Sequence, residues 1–454
     1  MTSRRFSLTD VAMLLICGLV AVSILITQVT RHRAAARQSG CADNLKLIGL
    51  AYHNYHSAYK LLPMGSGGTH GGNLEHPLVG NASRLSPWVA ATPFLEQQRI
   101  WEQVSNPLRT PEFTFPPMGP VPWFDPESYA PWGQRPAIYV CPSDKDSERF
   151  ATAASYVLNY GDGIFEVGAP AAPEFDAARY GDNPPPRMDL DQYSQEQAAK
   201  RGMFMRARFI KFRDVLDGLS NTLLVTESRI GGAKVAKEVE GLPLNPSLCL
   251  AAQRDPAAQF WPDGRGACWA DGSLRSTGFQ TVLPPNSPSA TSAKGELEGV
   301  MSASSTHGGG VHTLFADGRV MFIANTIDAG DHTTPSVAMP RGGPRGFTRA
   351  GSPSPYGLWG ALGTRASKEI IEGLENSIAE PPVEMTEEEI ARLQSIPLQT
   401  WTMADGETTF EARQVDMEGE KKVLLLTESD GAKLLNLSSL KSEDAYRAVQ
   451  QHLE

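Results

Sequence analysis

The chain lacks the short motifs that usually disclose chemistry. None of its five cysteines forms a C-x-x-C pair, which argues against a zinc site. No G-x-S-x-G, H-E-x-x-H or Walker pattern occurs, so a nucleophile elbow, a zinc-protease helix and a phosphate loop are all without support. Gly65 to Gly72 is rich in glycine, but no strand precedes it and no Lys-Ser or Lys-Thr follows it; it reads as a surface loop. DKDSE, from Asp144, echoes a calcium loop but has Arg149 where a glycine must turn the chain. Lys and Arg do not cluster, apart from a few arginines beside an apolar run, and the net charge is -10. Nucleic acid is thereby excluded as a partner, because neutralising phosphates takes concentrated basic charge. The expectation is a protein with no catalytic residue, no metal and no cofactor.

Glycine (42 residues) and proline (34) are abundant and sit between short apolar runs, which favours a β-rich, loop-rich body over a helical bundle. One stretch stands apart. Val11 to Val29 holds nineteen residues without a charge, with Arg4, Arg5 and Asp10 before it and Arg31, His32, Arg33 and Arg37 after it. As a helix it would rise roughly 28 Å, about the hydrocarbon thickness of a bilayer. Thr30-Arg31-His32-Arg33 makes a poor signal-peptide cleavage site. Leu15 and Ile16 before Cys17 do not suit a lipoprotein signal, and the stretch has almost no polar face of the kind a buried core helix carries. An uncleaved anchor is expected, although arginines on both sides leave its orientation open. Beyond Cys17 the body holds Cys41, Cys141, Cys249 and Cys268, an even number. Three pairings are open, as are four reduced thiols. Cys41–Cys141 with Cys249–Cys268 is the expected pairing, the second because it closes a short loop.

No proline interrupts Arg31 to Lys60, and Leu45, Ile48, Tyr52, Tyr55 and Tyr59 recur at three- and four-residue steps. That period predicts a helix continuing out of the membrane with one apolar face, ending near Leu62-Pro63. A second helix is expected over Thr92 to Val104. Strands are expected at Ala137 to Cys141, Ser155 to Tyr160, Met203 to Ile210 and Leu223 to Glu227, with Pro170 to Arg201 a loop. The clearest hairpin pairs Val311–Phe315 with Val320–Ile323 around Asp317-Gly318. Glu372 to Glu389 is an acidic linker, with Thr386 and Glu389 forming a capping box. From Gln399 short strands alternate with DG and EG turns, and a final helix starts at Ser442.

Three resemblances follow from these stretches. The start, RRFSLTDVAMLL, resembles a type IV prepilin leader, which would make Phe6 the first mature residue and Asp10 the fifth. Arg5 replaces the usual glycine before the cut and Asp10 replaces the usual glutamate; in lipid Asp10 could still neutralise a neighbour's free amine. The body resembles the planctomycete-type prepilin-like family with a C-terminal His-x9-Asp-Gly motif, a secretion pseudopilin-G-like domain of unknown function. Its matching stretches are CADNLKLIGLAYHNYHSAY, WVAATPFLEQ, YVCPSD, VLDGLSNTLLVTES, GLWGALGTRASKEII and SSTHGGGVHTLFADGRVMFI, with His307, Asp317 and Gly318. The tail from Trp401 resembles the first Sla-one homology domain, with Trp401, Phe410 and Leu440 at its core positions.

Together these imply an α+β protein: a long N-terminal transmembrane pilin-like helix packed on an antiparallel β-sheet domain, plus a small C-terminal SH3-like β-barrel. The expected domains are residues 1–30 (leader and span), 31–371 (pseudopilin-like body), 372–397 (linker) and 398–454 (barrel). The implied function is that of an envelope protein, structural or scaffolding, held in the inner membrane with most of the chain on the extracytoplasmic side. It would assemble with itself or with other pilin-like subunits through the helix and bind a protein partner through the barrel. The alternatives are an anchored protein that binds a solute or glycan, and a hydrolase using His307 and Asp317. The plainer reading of that pair has Asp317 making the turn and His307 capping a loop. His53 and His56, one helical turn apart, read as packing histidines rather than metal ligands, and Ser304 and Ser305 lie too close to His307 in sequence to argue for a triad.

Overall fold

Leu45, Ile48 and Tyr52 fall on one face of a helix, α1, spanning residues 36–59, and each is completely buried. The computed structural model describes residues 36–378, except 73–75, 166, 169–199, 207, 232–233, 339–347 and 350, together with 399–402, 409–418, 422–427 and 431–436. The apolar stretch 11–29, the processing positions Arg5, Phe6 and Asp10, the capping box Thr386/Glu389, Leu440 and the helix expected from Ser442 lie outside the described residues. Among the described residues no helix is long and apolar enough to cross a membrane. Helix α1 ends where Lys60 turns left-handed (φ 60°) with its N–H on His56 O, just before Pro63.

The second expected helix is broken. Thr92–Leu95 winds as a 3-10 turn from Pro93, Glu96 adopts φ 60°, and α2 then runs Gln98–Ser105. The break lets Leu95, Ile100 and Val104 all enter the core. Ala137–Tyr139 is a 3-10 turn rather than a strand. Held between Pro136 and Pro142, it buries Tyr139, whose hydroxyl donates to Trp88 O at 2.8 Å. Among the described residues, Met203 to Ile210 forms isolated bridges rather than a strand, Ser66 with Arg206 and Met205 with Arg208.

The strands of the two larger sheets of this part of the chain are β1 (Tyr156–Asn159), β2 (Leu223–Glu227), β3 (Val235–Ala236), β4 (Gly278–Phe279), β5 (Ser289–Ser292), β6 (Gly295–Val300), β7 (Gly310–Phe315) and β8 (Val320–Ala324). Five of them make one sheet in the order β8-β7-β2-β1-β4; β3, β5 and β6 make a second. The larger sheet is mixed. Three of its pairings are antiparallel, but β4 joins the edge parallel to β1, which a return through the intervening long connection permits.

Both faces of this sheet are covered. Tyr156 and Leu158 point to the side of α1, with Cys41, Leu45 and Ile48, while Val157 between them points to the other. There it meets Phe315, Ile323 and Trp359 of α3 (Gly357–Gly363). Period-two alternation explains the division, and burial on both faces explains why the strands read as apolar runs.

Residues Arg37–Glu380 form one compact unit. Taken by themselves, Gln399–Thr402, Thr409–Glu418, Lys422–Thr427 and Gly431–Asn436 make a four-stranded antiparallel meander with a register shift between Gln414 and Asp416. Trp401 is buried, and its backbone pairs with Phe410.

Candidate functional site

The residues singled out in the sequence meet around one strand, β7. His307 stands in the loop before it and Asp317-Gly318 in the turn after it. These ends lie roughly 20 Å apart at a strand's rise per residue, so the two side chains do not form an acid–base pair. They do different work.

At the far end, Asp317 Oδ1 accepts from Arg319 N at 3.0 Å, and its own N–H donates to Leu219 O. Gly318 has φ 94°, the conformation that lets the hairpin close. His53 Nε2 lies 2.9 Å from Ala316 O, beside this turn, and Gly49 brings the α1 backbone against Leu314 and Gly318. Gly318→Ala should cost about 1–2 kcal/mol of left-handed strain. Nothing lies within 4 Å of a Cβ placed there, so urea unfolding of the full chain would read backbone strain without a clash.

At the near end, α1 is fastened a second time. Cys41 forms a disulfide with Cys141, Tyr156 Oη donates to Cys41 O at 3.1 Å, and Asn44 Nδ2 donates to Val140 O at 2.9 Å. From Cys41 to His53 a helix rises roughly 18 Å, close to the length of β7. The nine-residue gap in His-x9-Asp-Gly thus contains the six-residue strand β7, with the disulfide that ties α1 near its first end and the His53 contact near its second.

His307 is buried against that disulfide. Its Nε2 lies 3.5 Å from Cys141 Sγ and 3.2 Å from Glu227 Oε1, at the end of β2. The same carboxylate receives His312: the backbone N–H of His312 donates to Oε2 at 2.8 Å and Nδ1 lies 3.2 Å from Oε1. The two imidazoles meet edge to face, 5.0 Å between centroids. Burial alone would push Glu227 up, but hydrogen bonds from His307 and His312 outweigh it and hold the carboxyl down at about 2. Ser305 Oγ donates to Gly310 O at 2.7 Å and accepts from His307 N, and Ser304 Oγ accepts from Arg229 N. Both hydroxyls are spent on the backbone, so they shape the loop and do not face the ring as a nucleophile would.

The other histidines are separated by use. His56 stacks on Phe212 with centroids 4.0 Å apart and accepts from Phe212 N, while His53 reaches the hairpin turn. Burial, then Lys60 and His53, lowers the His56 ring. Asp217, in VLDGLSNT, does more than turn the chain: its carboxylate accepts from Thr364 Oγ1, Ser367 N and Lys368 N, tying down the stretch after α3.

The expected Cys249–Cys268 disulfide is absent from the structure. Cys249 donates to Pro288 O and Cys268 to Pro122 O, each at 3.3 Å, and burial pushes both thiols up to about 12. A short loop in sequence did not pair them, because each thiol is seated against a different segment, Cys249 at Pro288 and Cys268 at Pro122.

Sequence reading missed Glu227 and His312. A carboxylate closing the run Leu-Leu-Val-Thr-Glu, and an imidazole inside Val-His-Thr-Leu-Phe, were the available signals, since charged and polar side chains are rarely buried without partners. It also missed a second buried network, in which Arg84 bonds Asp271 at 2.8 Å and Glu296 at 2.7 Å, and Arg275 bonds Glu296 at 2.8 Å.

A family model described as a protein of unknown function (DUF1559) matches residues 30–330. No curated protein and no solved structure matches the chain. The matched region runs through α1, the disulfide, Glu227, His307 and the Asp-Gly turn, which is two thirds of the chain, and on that ground the protein belongs to the DUF1559 family, whose function is unknown.

Proposed function

We propose that the chain is a pseudopilin-like envelope protein anchored in the inner membrane, a scaffold rather than a catalyst. In this reading Val11–Val29 lies in the bilayer and the body stands on the extracytoplasmic side. Helix α1 carries assembly with further copies of the chain, and the C-terminal strands belong to an SH3-like module that takes a protein partner.

The observation that carries the reading is how α1 is divided. Cys41, Leu45, Ile48 and Tyr52 are sealed into the body, whereas Leu47 and Leu50 are 51% and 57% exposed. A helix already satisfied on one face, with large apolar side chains left in water on the others, has surface to offer a neighbour. Support also comes from the site: His307 packs on the disulfide that ties that helix to the body, and the Asp317-Gly318 turn lies beside the contact of His53 with Ala316 O, which suits a mechanical use of the His-x9-Asp-Gly motif. A disulfide across the body fits an oxidising compartment.

The full chain should sediment with membranes and wash free once residues 1–29 are deleted. With a photo-crosslinking side chain in place of Leu47 or Leu50, it should yield a dimer-sized adduct in the membrane fraction, and the same probe at buried Leu45 should not. A full-length chain that stays soluble and monomeric, with no adduct from either exposed position, would overturn the reading.

A further inference from the structure

We propose that Cys41, Cys141, Glu227 and His307 are a redox-gated site for a thiophilic divalent cation, with Zn2+ as the best fit. The inference stands apart from the anchoring and assembly proposed above.

The four residues are all buried, and each offers one ligand atom within 4.8 Å of the other three. They come from four separate parts of the chain: α1, the turn after Tyr139, the end of β2 and the loop before β7. No local spacing announces them. The set is two sulfurs, one imidazole nitrogen and one carboxylate oxygen, which suits a borderline-soft cation in tetrahedral coordination. Metal–ligand bonds of about 2.0–2.3 Å give a tetrahedron whose edges are roughly 3.3–3.8 Å. Two edges already exist at close to that length, His307 Nε2 to Cys141 Sγ at 3.5 Å and to Glu227 Oε1 at 3.2 Å. The outer shell is also in place. His312 binds Glu227 through its backbone N–H and Nδ1, Ser305 clasps the His307 loop, and Tyr156 holds the Cys41 carbonyl. Such partners orient metal ligands.

The disulfide is the gate. Bonded to each other, the two sulfurs are poor donors and leave no room between them. A dithiol reductant transfers two electrons and two protons, so the Cys41–Cys141 bond becomes two thiols while the reductant closes to its own disulfide. The sulfurs then separate to contact distance, which is about the missing tetrahedral edge. On binding, the cation displaces both thiol protons to solvent, and the His307 ring shifts its proton from Nε2, where it faces Glu227 in the metal-free form, to Nδ1, which frees the Nε2 lone pair for the metal. Two thiolates and a carboxylate face one divalent ion, which makes the buried charge far smaller than three bare anions would be. One chemical event thereby exchanges a covalent tie between α1 and the body for a coordinate one.

The test uses the full chain in detergent with Cys17, Cys249 and Cys268 changed to serine, so that only the paired cysteines remain. Oxidised protein given Zn2+ and passed through gel filtration should retain none. After phosphine reduction it should retain about one zinc per chain, and Co2+ in its place should give the visible absorption of a tetrahedral thiolate complex. Zinc should raise the melting temperature of the reduced form and leave that of the oxidised form unchanged. His307→Gln should lower zinc retention by at least about tenfold, in line with the loss of one ligand. If that variant fails to fold, the comparison of oxidised with reduced parent protein still decides. No zinc on the reduced chain, or equal zinc on both forms, would overturn the proposal.

Discussion

Replacing Glu227 by alanine is expected to destabilise the body by about 3–5 kcal/mol, the usual consequence of removing one partner from a buried ion pair. The carboxylate is shared by His307 and His312, and all three lie in the interior. Without it, two imidazoles lose their acceptor in a place that water does not reach, and the loop before β7 loses its tie to β2. Glu227→Gln keeps the shape and one acceptor oxygen, so its loss should be smaller. Urea unfolding of the full chain, followed by near-ultraviolet circular dichroism from the buried Trp88, Trp132, Trp269 and Trp359, would measure both.

The same residue sets an acid limit. Its folded value, about 2, lies below the ordinary 4.5, so the folded state binds fewer protons than the unfolded one. Stability from this group is therefore complete above about pH 4.5 and is lost as the pH falls towards 2, a contribution on the order of 3 kcal/mol. In Glu227→Ala that part of the pH dependence should vanish. A variant whose stability keeps the parent's slope between those pH values would show that the carboxylate is not held as described.

The second large effect belongs to the disulfide. Changing Cys41 and Cys141 together to serine should cost about 4–5 kcal/mol on the chain-entropy account, because the bond closes a loop with a sequence separation of 100. Changing Cys249 and Cys268 to serine should cost far less, since each makes only a weak thiol hydrogen bond. A non-reduced tryptic digest should contain one cross-linked peptide pair, holding Cys41 and Cys141. Recovery of a Cys249–Cys268 pair, or equal losses from the two double variants, would contradict the assignment.

Parts of this architecture were legible because they depend on near neighbours. The stripe Leu45, Ile48, Tyr52 sets the buried face of α1 through the 3.6-residue period alone. Asp317-Gly318 names its hairpin, since few residues other than glycine adopt φ 94° without strain. Other parts misled. Ala137–Cys141 is apolar enough for a strand, yet two prolines and the demand that Cys141 reach Cys41 made it a turn. Thr92 to Val104 has helical periodicity, but a left-handed Glu96 divides it so that three apolar side chains can share one core.

The sequence by itself determined where the apolar, helical and turn-forming segments lie, because propensity and periodicity act over a few residues. It could not say that His307 sits on the Cys41–Cys141 bond, that Glu227 and His312 join it, or that Cys249 and Cys268 stay apart. Those contacts link positions up to 266 residues apart, and only the closing of the sheet around α1 selects them. Burial then makes each choice costly to reverse, since a charged or polar group removed from water must keep its partner.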